Sequence, residues 1–101
     1  MKNASEIEAE FRSKAIIRGG LLLFRPADAV DLIRKCSEEK LGILGLDGFL
    51  ITGNSTQPLM EHSVDFSSKS RTISSQGYWQ AAEEFLCQKQ SSGLLFEVVI
   101  E

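Results

Sequence analysis

The stretch KLGILGLDGFLITG, residues 40–53, constrains this chain more than any other. It has the aliphatic content of a buried strand, yet glycine recurs at Gly42, Gly45 and Gly48 and one acid, Asp47, stands in the middle. Glycine weakens a strand interior, so a strand that keeps several has a bulge, a bend or another backbone passing close by. Asp47 has two readings: a turn residue, or a charge presented where the strand bends. Under either, the segment from Gly45 to Gly48 departs from a regular ladder.

The elements on either side set the fold class. Ile7 and Phe11 lie one helical turn apart among Glu6, Glu8 and Glu10, which predicts a short amphipathic helix within residues 3–18. After Gly19-Gly20, LLLFRP reads as a buried strand feeding a helix opened by Pro26, PADAVDLIRKCSEEK. Asp28 and Asp31 near its start and Lys35 and Lys40 toward its end suit the helix dipole, and Ala29, Ile33 and Cys36 form an apolar stripe. The glycine-bearing strand follows, then a reversal, TGNSTQP, and a third strand, LMEHSVDF. Strict alternation would turn Met60, His62, Val64 and Phe66 one way and Leu59, Glu61, Ser63 and Asp65 the other, making one face wet and acidic. SSKSRTISSQG is a polar connection, YWQAAEEFLCQKQ a last helix stopped by Gly93, and LLFEVVIE a closing strand. The order predicts an α+β domain over residues 21–101: a four-stranded antiparallel sheet with two helices on one face in ferredoxin-like βαββαβ order, preceded by a helical extension over residues 1–20.

Composition narrows the function. The chain is 43% hydrophobic and 25% charged, as one small globular domain is. No apolar run approaches the ~20 residues of a membrane-spanning helix, and the acidic start lacks a signal's apolar core, so a cytoplasmic protein without membrane contact is expected. A net charge of −3 and a pI near 5.2 oppose direct nucleic-acid binding, and LMEHSVDF carries acids where an RNA-binding sheet of this order puts cations and stacking rings. A basic protein is the easier complement. His62 is the single histidine and has no partner groups marking an activated nucleophile; Cys36, His62 and Cys87 lack the paired spacings of a metal site. The two cysteines sit in apolar helical contexts and are expected as buried thiols. Gly42, Gly45 and Gly48 do not open a helix as a phosphate loop does, and Asp47, Glu61 and Asp65 read more readily as a solvated acidic surface than as an acid and base pair. No cofactor and no catalytic residue are expected.

From Pro26 through Gly48, PADAVDLIRKCSEEKLGILGLDG resembles without a gap the small immunity proteins that bacteria make against the transfer-RNA-cleaving colicin of the E group. The shared features are a proline opening a helix, the run Ala29, Val30, Asp31, then Leu41 leading into Ile43 to Gly48. The chain departs from that family in roughly twenty additional residues before Leu21 and in Gly42, where the family has a large aromatic. The resemblance implies an inhibitor and not an enzyme, one that occupies the nucleic-acid cleft of a toxin's ribonuclease domain. An acidic protein can satisfy that cleft's cations in place of RNA, and flat rings beside the acids can replace stacked bases. The contact residues expected on this basis are Asp47, Glu61, His62, Asp65 and Phe66, with Tyr78 and Trp79 either core anchors or contacts. The alternative is a ferredoxin-like regulatory domain that binds a small molecule or protein and dimerises through its open sheet face; monomer and homodimer are both open. Acids and single aromatics on the exposed face of the third strand favour the inhibitor, and a continuous apolar patch favours the dimer.

Overall fold

A computed structural model describes residues 3–66 and 78–101. Its first helix, α1 (Ala4–Phe11), opens on a capping box: the Asn3 side chain accepts from the Glu6 N–H at 2.9 Å while the Glu6 carboxylate accepts from the Asn3 N–H at 3.2 Å. That start angle turns Ile7 into the core, where it is fully buried. The helix ends earlier than its apolar period suggested. Ile16–Arg18 is instead a strand, β1, which pairs antiparallel with β2 (Leu21–Leu23) across Gly19-Gly20, both at positive φ. Two glycines at positive φ are what a tight hairpin turn needs.

Helix α2 (Pro26–Glu38) starts where Pro26 places it and buries Ala29, Val30, Leu32, Ile33 and Cys36. Its end is a Schellman motif: Leu41 N–H returns to the Cys36 carbonyl at 2.9 Å and Lys40 N–H to that of Ser37 at 3.1 Å. Lys40 takes the left-handed position usual for glycine, with φ of 59°. Burial of the Cys36 thiol, with a smaller contribution from Glu8, raises its pKa to about 12, so it stays protonated.

The α+β class holds, but the sheet is not the ferredoxin-like one. Among the described residues there are three helices and two sheets: the β1–β2 hairpin, and a three-stranded antiparallel sheet of order β4-β3-β5, made of β3 (Ile43–Thr52), β4 (Ser55–Asp65) and β5 (Leu95–Ile100). The ferredoxin-like order requires the strand before the first long helix at the sheet's centre. Here β2 is too short and too committed to β1 for that role, and only the next residue, Phe24, bridges to Phe96. The centre belongs to β3, whose two faces are both apolar: Leu46 packs beneath the helices, and Phe49 packs with Leu23 and Leu95 on the other side. Helices α2 and α3 (Trp79–Cys87) cover one face; the β1–β2 hairpin covers one end of the opposite face. Large side chains such as Phe24, Phe96 and Leu86 are sealed between the layers, each stabilising by about 1.5–3 kcal/mol.

The glycines of β3 are explained by its neighbours. Against β5 the register slips between Ile43 and Gly45; against β4 it slips between Leu46 and Gly48. On the β4 side, Leu46 pairs with Val64 and Gly48 with Leu59, so β4 takes five residue steps where β3 takes two. The surplus makes a wide bulge opposite Asp47. A Cβ at Gly48 would lie 2.6 Å from the His62 carbonyl oxygen and 2.9 Å from the His62 Cβ, and one at Gly45 would lie 2.8 Å from the Val64 carbonyl oxygen. Only glycine lets the bulged backbone lie this close. Lower on the same hairpin, Pro58 faces Phe49 at a pair whose backbone groups point away from each other, so its missing N–H falls on the outer edge of β4 and leaves that edge a poor template.

Candidate functional site

The open end of the outer sheet face is assembled by β3, β4 and β5. Asp47 is a ladder residue in mid-strand, which removes the turn reading, and it lies directly opposite Glu97 of β5. Leu46 and Gly48 face the helices, so Asp47 and Glu97 both face out. Burial, then the charge of Asp47, then that of Glu8 raise the Glu97 pKa above its ordinary value. Neither Asp47 nor Glu97 has a salt-bridge partner among the described residues. Beside Asp47 a shallow depression of about 490 Å³ is lined by Leu44, Met60, Asp65 and Val99 as well.

The bulge on β4 is closed by one hydroxyl. Gly48 N–H donates to Ser63 Oγ at 3.2 Å, and the Ser63 hydroxyl donates to the Leu59 carbonyl at 2.9 Å, so the side chain stands inside the interrupted ladder. His62 turns to the helical side, where its Nδ1 lies 3.0 Å from Lys89 Nζ; facing an ammonium, that nitrogen is the acceptor. The bulge also shifts the alternation expected of this strand. Leu59 and Val64 are an odd number of residues apart yet pair with Gly48 and Leu46, which share a face, so both pack on the core and Met60 swings out to 88% exposure.

The structure brings some of the expected contact residues together and separates others. Asp47 and Asp65 share the depression, with exposed Glu61 in the neighbouring bulge. His62 faces away, toward Lys89. Phe66 is buried and stacks on Tyr78, ring centroids 5.1 Å apart and planes 6° from parallel; it presents no flat ring to a partner. Trp79 donates from Nε1 to the Leu41 carbonyl at 2.7 Å, fastening the start of α3 to the end of α2. Tyr78 and Trp79 also border a separate groove between α2 and α3, bridged by Arg34 and Glu83 at 2.6 Å. Cys87 lies along that groove and is exposed, contrary to the expectation of two buried thiols: the stripe of α3 that faces the core is Ala82 and Leu86. The polar segment at 67–77 lies outside the described residues.

Glu97 and Met60 were not foreseen as members of this face. Glu97 had a signal in the sequence, the one acid inside the apolar run LLFEVVI, the counterpart of Asp47 in its own strand. Met60 had none. The face combines carboxylates with an apolar depression and one exposed methionine. No helix among the described residues is long and apolar enough to cross a membrane. No protein-family model and no curated protein sequence matches the chain.

Proposed function

We propose that this protein is a toxin-neutralising immunity protein, which binds the basic cleft of a ribonuclease domain through the open end of its outer sheet face. The observation that carries this reading is the cross-strand pair Asp47 and Glu97: two carboxylates side by side on the outer sheet face, Glu97 partly buried beside α1 and held above its ordinary pKa by burial, then by Asp47, then by Glu8. Such an arrangement is relieved by a cation from outside. The resemblance to the immunity proteins of the transfer-RNA-cleaving colicin agrees in position, since Pro26 to Gly48 covers α2 and the half of β3 that bears Asp47. The lysines and arginines with which a ribonuclease grips RNA are the complementary groups, and the acidic face stands in for phosphates.

The test is association of the protein with the nuclease domain of a transfer-RNA-cleaving E-group colicin, by stopped flow at low and high salt, with and without Asp47→Asn, Glu61→Gln and Asp65→Asn together. Exposed charges are screened over ~8 Å at physiological ionic strength, so association slows with salt. The triple amide variant is expected to associate at least about tenfold more slowly while its folding stability moves by no more than ~0.5 kcal/mol. Absence of binding, or a rate indifferent to both salt and substitution, overturns the reading.

A further inference from the structure

Met60 is 88% exposed, whereas the other large exposed apolar side chain, Ile17, is at 45%. It stands on the surplus residues of β4, two of which, His62 and Ser63, are tied to their surroundings. Ser63 ties Gly48 to Leu59, the His62 backbone rests on the bare Cα of Gly48, and the His62 ring meets Lys89, whose ammonium lies 5.2 Å from the centre of the Phe85 ring. A flexible loop could have hidden this side chain. A pinned bulge instead holds an apolar group in water, at a cost that binding would recover.

We propose that the bulge is a rigid knob and Met60 its anchor, entering an apolar socket on a basic protein surface. This rests on the function proposed above and names the residue that supplies its short-range grip. With the backbone beneath it already placed, the ordering cost on binding is confined to the methionine side chain, and an unbranched thioether adapts to a pocket of irregular shape. The surroundings have the order of a binding hot spot: one apolar centre with Asp47 and Glu61 about it, to be closed off from water when cations arrive. The same charges argue for a basic partner over a second copy of this chain, because a twofold contact here would oppose like carboxylates.

Dissociation from the colicin nuclease domain is measured for the wild type, Met60→Ala and Met60→Leu, with sedimentation velocity of each protein alone. Because hot-spot loss acts mainly on the off-rate, Met60→Ala is expected to leave at least about tenfold faster with association within about twofold, and Met60→Leu to stay within about threefold of wild type. Unchanged thermal melting of both variants shows that the fold is intact. If the wild type binds and Met60→Ala leaves no faster, the anchor is overturned and the immunity reading stands. If the wild type does not bind, both fall. A wild-type dimer that Met60→Ala abolishes also overturns the anchor, since the knob would then serve self-association.

Discussion

At position 48 a methyl group is already too much. The added carbon would lie 2.6 Å from the His62 carbonyl oxygen, a backbone atom that cannot swing aside without moving the bulge. Gly48→Ala is therefore expected to lower the unfolding free energy by about 1–3 kcal/mol in a urea titration, the usual cost of forcing volume into a packed site; an unchanged midpoint would show that the bulge yields freely. Glu97 gives a prediction of a different kind. Its pKa is raised above the ordinary 4.5, first by burial and then by Asp47 and Glu8, so the folded state holds its proton more tightly than the unfolded chain does. The stability tied to that proton is complete below about pH 4.5 and is lost as pH rises through the folded value. Glu97→Gln should then be more stable than wild type at neutral pH, with the difference vanishing in acid. Thermal melts of the two proteins across that range check the sign, and a gap that widened in acid would contradict it.

Helix α2 ends on Lys40 in the left-handed region, the position of its Schellman motif where glycine is the usual residue. Lys40→Gly is expected to raise stability by roughly 0.5–1 kcal/mol by relieving that conformation. A destabilised variant would mean that the lysine stem contributes more packing than its exposure implies. This helix was legible in the sequence almost residue by residue, because its signals are local: a proline at the start, charges matched to its ends and an apolar stripe. The sheet was not legible to the same degree. The helical extension expected over residues 1–20 contains a strand, Ile16–Arg18, because Gly19-Gly20 turns the chain back into a hairpin. Strand order is decided by which residues meet across long separations, and nothing within Leu21–Leu23 marks it as the partner of Ile16–Arg18, tied to the larger sheet's ladder only through the bridge from Phe24 to Phe96. The irregularity of Gly45 to Gly48 could be read from glycine content, but its larger cause lies in another strand. The parity of Met60 and the meeting of Asp47 with Glu97 depend on register, which periodicity within one strand does not contain.

Among the described residues, α2 and α3 lie on one face of the three-stranded sheet and the short hairpin on one end of the other, and the far end of that outer face carries acids from all three strands. The groups that hold the fold and those that face outward are nearly disjoint: Leu46, Val98 and Phe96 turn inward from the same strands whose Asp47 and Glu97 turn outward. The bulge carries this separation further. Met60 and Glu61 belong to the residues that the ladder skips, so their identity sets neither register nor core. A library randomised at positions 60 and 61 should yield mostly folded protein by a protease-resistance screen, whereas one at 48 and 63 should yield little, and equal yields would refute the distinction. A chain with this fold can therefore vary at the tip of the bulge without relearning how to fold, so what it presents outward and what folds it can change separately.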